Sequence, residues 1–256
     1  MKLSEIMKKD VTTIDKDQTV HDALMKMSKS PVSKLPVINN GKLVGIVTYA
    51  DIISVLGSSK QQALPTHIHL SNAMQSDVKI ASEDHDTVHA ANIMLNYEIS
   101  SLPILRGDDL VGIITTSDLV GTITDETKNV GAVMSAPITI GASDRIVRAR
   151  EIMSENKVSM LPVVDGGELV GVLTHVHLAE ALGTFREKNE KHQATKVTHI
   201  LAEDTMSRDI TSVSSNTTIP EALQTMDSKK VTSLPVLENG KLVGVVSKTN
   251  MLSLLR

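Results

Sequence analysis

The chain has 256 residues, enough for about two domains, and its 41% hydrophobic and 22% charged content is typical of a folded protein and excludes a disordered one. It has no cysteine, which excludes disulfide scaffolds, cysteine nucleophiles and thiolate metal sites, and its two Tyr and one Phe are too few to stack successive nucleic-acid bases. The 26 basic and 30 acidic residues give a net charge of −4, so a general cationic face for nucleic acid is not indicated.

The chain repeats one pattern four times. In each repeat a Leu-Pro dipeptide is followed, nine residues after the proline, by the glycine of a Val-Gly pair, and a Met lies 28 or 29 residues before the proline. We number the repeats one to four; the copies of this pattern begin at Ser33, Ser100, Ser159 and Thr232. A repeat of about 50 residues buries its own apolar surface poorly, so the repeats should pack in pairs. The predicted domains are 1–57, 68–124, 128–183 and 200–256.

Within repeat one, a strand over residues 11–14 precedes a helix whose apolar residues follow the spacing of one buried face. That face is predicted to hold Val20, Ala23, Leu24 and Met27 in repeat one, and Val88, Ala91, Met94 and Leu95 in repeat two. A hairpin follows, with predicted turns at Asn40-Gly41, Asp108-Asp109, Gly166-Gly167 and Asn239-Gly240. The charged stretch from Gly183 to Thr205 is predicted to be a solvated helix or tether, and an interaction surface is the alternative.

A second helix closes each repeat, and its start varies in an informative way. A hydroxyl residue is always present, at Thr48, Thr115, Thr174 and Ser247. Three residues later repeats one and two have Asp51 and Asp118, whereas repeats three and four have His177 and Asn250. One interpretation is a capping box, in which hydroxyl and acid satisfy the first backbone N–H groups. The other is a ligand site, because such a helix start suits phosphate and a carboxylate suits the two hydroxyls of a ribose.

These tandem units of Leu-Pro-Val, a turn, Val-Gly-Ile-Val-Thr and a following Asp resemble cystathionine-beta-synthase (CBS) domains, two of which form a Bateman module. Four units without a catalytic domain resemble the gamma subunit of AMP-activated protein kinase and stand-alone archaeal CBS proteins. The resemblance implies an α+β fold of four β-α-β-β-α units, packed in pairs as two Bateman modules in a disc-like assembly, within one chain or across a homodimer. It also implies adenosyl ligands (AMP, ADP, ATP or S-adenosylmethionine) in the clefts between paired units.

Carried over position by position, the resemblance implies two sites in the first pair. One combines Thr48, Ala50 and Asp51 with Lys79, Ile99 and Ser100. The other combines Thr115, Ser117 and Asp118 with Thr12, Val32 and Ser33. The resemblance also places Lys34 at a phosphate-binding position, and Tyr49 is expected to be the only ring near a site. In the second pair, Thr174, His177, Ser247 and Asn250 are weaker candidates, because a ribose bond to a carboxylate is worth about 1.5 to 3 kcal/mol and is missing there.

Other candidates are interpreted as surface residues. His67 with His69, and His85 with His89, have metal-ligand spacing but no third ligand, so no metal site is predicted. His175 and His177 would meet a phosphate only if protonated. Arg145, Arg148 and Arg150 are expected to form a solvated face, and a basic patch for an anionic partner is the alternative.

The sequence therefore predicts a non-catalytic regulatory module that senses an adenosyl ligand and passes its occupancy to a regulated protein it does not identify. The sequence contains no hydrolase or phosphoryl-transfer motif. We therefore predict that the protein is not an enzyme and uses no catalytic cofactor. A nucleic-acid-associated protein and a scaffold with empty clefts are the alternatives. With no signal peptide or membrane span in the sequence, the expected location is the cytoplasm, without membrane contact.

Overall fold

The structure is a computed structural model that describes residues 1–30, 32–58, 63–123, 127–189 and 199–255. The four repeats have an α+β architecture in which a helix precedes a β-hairpin and a second helix follows it. The strands are β1 Ile14–Asp15, β2 Lys34–Asn39, β3 Lys42–Thr48, β4 Ala81–Ser82, β5 Ser101–Arg106, β6 Asp109–Thr115, β7 Ile140–Gly141, β8 Met160–Asp165, β9 Glu168–Thr174, β10 Ser233–Glu238 and β11 Lys241–Ser247. The α-helices are α1 Leu3–Ile6, α2 Val20–Lys29, α3 Tyr49–Leu56, α4 Thr87–Asn96, α5 Thr116–Val120, α6 Ile146–Asn156, α7 His175–Asn189, α8 Ile219–Ser228 and α9 Lys248–Met251.

Each repeat is built on its antiparallel hairpin, and the first strand adds a short parallel edge. In repeats one to three this strand has two residues, so the predicted strand over 11–14 is shorter and later than expected. In repeat four it is reduced to a single bridge between Val213 and Val236. Every hairpin shifts register at the same point, opposite the glycine of the Val-Gly pair, which marks a β-bulge.

The turns explain one error in the sequence interpretation. In repeat one both turn residues have positive φ, 48° at Asn40 and 78° at Gly41, which is the two-residue type I′ pattern. In repeat two the turn is Gly107-Asp108, because β5 ends at Arg106 and β6 begins at Asp109. Only Gly107 has positive φ there, as in a type II′ turn, so the predicted turn at Asp108-Asp109 is one residue too late.

The helix faces were predicted well in repeat one and less well in repeat two. Val20, Ala23 and Met27 are buried, with Leu24 partly buried beside them. In α4, however, Val88 is exposed, and the buried face begins one residue earlier, at Thr87. One residue corresponds to about 100° around a helix, which turns Val88 away from the core.

The chain divides into two compact units, each built from alternate repeats. The odd unit comprises Thr12–Val78 and Ile138–Ile210 and contains repeats one and three; the even unit comprises Met1–Val11, Lys79–Pro137 and Thr211–Arg256 and contains repeats two and four. Each unit has its own aliphatic core, to which the second helices of its two repeats contribute. In the described part of the chain, no helix combines the length and apolarity needed to cross a bilayer.

The segment that leads into each repeat belongs to the unit that does not hold the body of that repeat. We call residues 1–11, 63–78, 127–137 and 199–210 the leading segments. The leading segment of repeat one pairs with β6 of repeat two, and that of repeat two pairs with β3 of repeat one. Repeats three and four exchange their leading segments in the same way. The exchange is reciprocal within the pairs one-two and three-four.

The predicted charged tether is partly helical. α7 continues to Asn189, and the predicted tether residues Glu190 and Lys191 lie outside the described residues. Arg186 is only partly exposed, and its guanidinium donates to the carbonyl oxygens of Leu56 and Ser58 at the end of α3. Partial burial lowers the pKa of Arg186 from its ordinary value.

Candidate functional site

The start of α3 forms a closed hydrogen-bonded ring with the end of β3. The backbone N–H and the hydroxyl of Thr48 both donate to Oδ2 of Asp51, at 2.8 and 2.6 Å. The backbone N–H of Asp51 donates back to Thr48 Oγ1 at 3.3 Å. This is the geometry of a capping box, with Asp in the position that Glu or Gln usually holds.

The same ring recurs in the other repeats with different acceptors. In repeat two Asp118 Oδ2 accepts from the backbone N–H and the hydroxyl of Thr115, at 2.8 and 2.6 Å. In repeat four Asn250 Oδ1 replaces the carboxylate oxygen and accepts from the N–H and hydroxyl of Ser247, at 2.9 and 2.7 Å. The capping interpretation is therefore confirmed, and the amide of Asn250 makes the same cap as a carboxylate.

Repeat three closes the ring with an imidazole. The backbone N–H of Thr174 donates to Nδ1 of His177 at 3.2 Å, so this nitrogen carries no proton. Desolvation by burial lowers the pKa of His177, and Glu180 and a backbone hydrogen bond of Val172 oppose the shift. Since the neutral ring is needed for the cap, burial and capping favour the same protonation state.

A side chain from a leading segment contacts the second oxygen of each carboxylate. Gln75 Nε2 donates to Asp51 Oδ1 at 2.8 Å, and Lys8 Nζ lies 3.5 Å from Asp118 Oδ1. In repeat four Asn250 Nδ2 donates to Ser135 Oγ at 3.0 Å. The sequence analysis missed these residues, although each follows the Met that lies 28 or 29 residues before the proline.

The Met of each leading segment packs against the Val-Gly glycine of the repeat that receives it. A Cβ built on Gly45 would lie 2.6 Å from Met74 Sδ and 3.0 Å from the carbonyl oxygen of Gln75. Met7 lies in the same way against Gly112 in repeat two. The absence of a side chain at this glycine lets the leading segment pair with the hairpin edge, and this pairing positions Gln75 beside Asp51.

The serines before Leu-Pro are linked to the same helix starts. The carbonyl oxygen of Ser33 accepts from the N–H of Tyr49 at 3.4 Å, and that of Ser100 accepts from the N–H of Thr116 at 3.1 Å. Hence the predicted Ser and the predicted Thr of one repeat lie close to each other.

The two tyrosines lie in different environments. Tyr49 is buried in the core at the start of α3, where burial, with a contribution from Glu180, raises its pKa. Tyr97, at the end of α4, is 56% exposed, and Lys79 Nζ lies 4.7 Å from its ring centroid. Tyr49 lies between Thr48 and Ala50, as expected, but it is not the only ring beside a predicted site residue, because Tyr97 contacts Lys79.

The remaining candidates are dispersed. Within the described residues, no three His, Asp or Glu side chains are placed to hold a metal ion. Arg145 and Arg148 are exposed, and Arg148 pairs with Glu151 on its own helix, whereas Arg150 is partly buried against Gly57. Burial lowers the pKa of His175, and only Asp51 opposes this, so the ring is neutral near pH 7.

A profile of the CBS domain matches residues 3–58, 70–125, 130–184 and 201–256. The chain belongs to the CBS domain family. Protein MJ1225 of Methanocaldococcus jannaschii is 24% identical over 95% of both chains. Its crystal structure, described as that of a proposed archaeal homologue of g-AMPK, covers 100% of both chains with a TM-score of 0.90 at 23% identity.

Two further solved structures were found to be similar to this chain or to part of it. An uncharacterized conserved protein of Pyrococcus horikoshii covers 100% of both chains with a TM-score of 0.67 at 21% identity. A CBS domain pair of protein MJ0100, 29% identical over 46% of this chain and 92% of that one with a TM-score of 0.42, was solved in complex with 5′-methylthioadenosine and S-adenosyl-L-methionine. The α+β fold and the four CBS repeats predicted from sequence are thus confirmed.

The predicted site residues of each of the first two CBS repeats belong to one compact unit. The odd unit holds Thr12, Val32, Ser33, Lys34, Thr48, Ala50 and Asp51. The even unit holds Lys79, Ile99, Ser100, Thr115, Ser117 and Asp118. We call Thr48, Ala50 and Asp51 the repeat-one half-site, and Thr115, Ser117 and Asp118 the repeat-two half-site. The assignment of partner residues to each half-site stays a prediction.

Proposed function

We propose that the chain is a non-catalytic regulatory module whose first two CBS repeats bind an adenosyl ligand and pass its occupancy to a partner protein. The ligand class is AMP, ADP, ATP or S-adenosylmethionine, as the CBS family resemblance implies. The observation that supports the proposal is the state of the two carboxylates. Oδ2 of Asp51 and of Asp118 accepts two hydrogen bonds from the cap, while among the described residues Oδ1 contacts Gln75 in one case and Lys8 in the other.

A carboxylate held in this way retains acceptor capacity for a ribose. Each carboxylate oxygen accepts about two hydrogen bonds, so Oδ1 of Asp51 has room for a sugar hydroxyl besides Gln75. Because the capping box already fixes the side chain, the ligand need not order it, which lowers the entropic cost of binding.

The same reasoning favours the first pair of repeats over the second. A hydrogen bond to a charged group contributes about 1.5 to 3 kcal/mol, against about 0.5 to 1.5 kcal/mol for a neutral pair. The amide of Asn250 is neutral, and Nδ1 of His177 already accepts from Thr174. Repeats three and four are accordingly proposed as weaker sites. Other proposed contacts to base and phosphate are Thr12, Val32, Ser33, Lys34, Lys79, Ile99 and Ser100.

Calorimetric titration of the full chain with AMP, ADP, ATP and S-adenosylmethionine tests the proposal. We expect at least one of the four to bind, and the double variant Asp51→Asn/Asp118→Asn to bind it about tenfold more weakly, as charged hydrogen bonds become neutral ones. Asn is the right replacement, since Asn250 shows that an amide preserves the cap. Alanine would remove the cap at about 0.5 to 2 kcal/mol each and confuse stability with binding.

The chain offers a matched control for the capping role. Asp22 caps α2 through Thr19 with the same ring, at 2.9, 2.7 and 3.2 Å, and is no predicted site residue. Asp22→Asn should therefore leave the affinity unchanged. Equal affinities of the wild type and the double variant would contradict the assigned residues. No binding of any of the four ligands would contradict the function and leave the scaffold alternative.

A further inference from the structure

Lys248 is a buried ammonium that joins repeat four to repeat two within the even unit. It is the first residue of α9 and is 5% exposed. Its Nζ donates to Asp227 Oδ1 at 2.5 Å and to Ser117 Oγ at 3.0 Å. Burying an ammonium is costly unless it is paired, so the ion pair with Asp227 holds Nζ beside the repeat-two half-site.

The direction of the hydrogen bond to Ser117 is fixed by chemistry. An ammonium has three donors and no acceptor, so Ser117 Oγ must be the acceptor. The proton of the Ser117 hydroxyl then points away from Lys248 and is available for donation to another group. Among the residues that the structure describes, one group lies within hydrogen-bond distance of Ser117 Oγ, and it is Nζ of Lys248.

The odd unit differs at the positions that correspond to Ser117 and Lys248. Ala50 stands where repeat two has Ser117, and its side chain is an exposed methyl group. His175 of repeat three stands where repeat four has Lys248, and burial keeps it neutral near pH 7, with Asp51 as the charged neighbour that opposes this. At these two positions, repeat one therefore has no hydroxyl donor equivalent to Ser117, and repeat three has no ammonium equivalent to Lys248.

We propose that Lys248 is a positioning residue that orients the Ser117 hydroxyl as a donor, so that the repeat-two half-site selects an adenosyl ligand carrying a phosphate over the bare nucleoside. The inference rests on the proposed function and specifies its ligand at one half-site. A phosphate oxygen is a charged acceptor and gains more from this donor than the 5′-hydroxyl of adenosine does. The repeat-one half-site, with Ala50, makes no such selection through this position.

The test compares AMP with adenosine by calorimetric titration of the full chain. All proteins carry Asp51→Asn, so that repeat two dominates the signal, and they differ in having Lys248→Met, Ser117→Ala, both or neither. With neither change we expect AMP to bind about tenfold more tightly than adenosine, from the difference between charged and neutral hydrogen bonds. Either change should remove most of that preference, and the double variant should remove no more than Ser117→Ala alone, since Lys248 acts through Ser117.

The adenosine affinity separates positioning from a structural role. In every variant it should fall by a smaller factor than the AMP affinity, because the 5′-hydroxyl of adenosine loses only a neutral hydrogen bond, whereas a collapse of the local fold would weaken both ligands by the same factor. Ser117→Ala leaves the Lys248 and Asp227 pair intact, so it keeps the test valid if Lys248→Met unfolds. A preference for AMP that survives either substitution overturns the inference while the proposed function stands. If neither AMP nor adenosine binds the unsubstituted chain, the inference fails, and the proposed function fails with it only if ADP, ATP and S-adenosylmethionine do not bind either.

Discussion

At the scale of single residues, the third position of each second helix combines a structural and a proposed functional role. Asp51, Asp118, Asn250 and His177 all accept from the backbone N–H of the residue that precedes the helix. Only the first two keep a negative charge for a ligand. Because the ring lies within four consecutive residues, such as Thr48 to Asp51, it could be predicted from the sequence. The contacts from Gln75 and Lys8 come from distant chain segments and could not be predicted.

The histidine cap makes repeat three sensitive to acid. Burial lowers the folded-state pKa values of His177 and His175, so the unfolded chain binds more protons than the folded one once pH falls below about 6.5. The stability they contribute is present above that pH and is lost as pH falls through the folded pKa values. For His177, protonation of Nδ1 also removes a cap worth about 1 kcal/mol.

We therefore expect His177→Asn to flatten the pH dependence of stability. Asn keeps the acceptor, as Asn250 does in repeat four, and does not titrate. Between pH 7.5 and 5.5 the melting temperature of the variant should fall less than that of the wild type, with the remaining fall due partly to His175. Parallel curves for the two proteins over this range would show that His177 does not carry the effect.

At the scale of elements, each hairpin is fastened to a leading segment by one methionine and one glycine. The hairpins themselves were predictable, because turn residues and alternating apolar residues are local signals. The partner of the Val-Gly glycine was not predictable, since Met74 precedes the hairpin of repeat two but packs on that of repeat one. The buried face of α4 was also predicted incorrectly at Val88, which is exposed, because two adjacent faces of this helix carry similar apolar residues.

The glycine contact makes a direct prediction for stability. Gly45→Ala should lower the free energy of unfolding by about 1 to 3 kcal/mol, because its Cβ meets Met74 Sδ at 2.6 Å and a backbone oxygen at 3.0 Å. Gly183→Ala is the control, since its Cβ would lie 3.4 Å from Leu24 in ordinary contact and α7 gains helix propensity. Urea unfolding of both variants measures the difference, and a Gly45→Ala protein as stable as the control would contradict the packing.

At the scale of the whole molecule, contiguous repeats in sequence become discontinuous compact units. Repeats one and three share the odd unit, and repeats two and four share the even unit. In each unit the second helices of two repeats that are not adjacent in sequence contribute to one core. Composition and spacing revealed four repeats and their fold, but the grouping depends on long-range contacts. The bond from Lys248 to Ser117 joins residues 131 positions apart, a separation at which a local motif gives no signal.

Deletion of residues 2–11 tests the exchange of leading segments. Leu3 and Met7 are buried in the even unit, and Lys8 pairs with β6. The deletion should therefore increase hydrogen exchange in β5 and β6 of repeat two, because burial of each such side chain contributes about 1.5 to 3 kcal/mol. Protection in β2 and β3 should change little. A loss of protection confined to repeat one would contradict the exchange.

The most direct test of the central claim is a crystal structure of the full chain grown with the adenosyl ligand that binds most tightly in titration. The account predicts ligand density at the repeat-one half-site, the repeat-two half-site or both, with a ribose hydroxyl within hydrogen-bond distance of Oδ1 of Asp51 or Asp118. Ligand found only at Thr174 and His177, or only at Ser247 and Asn250, would contradict it.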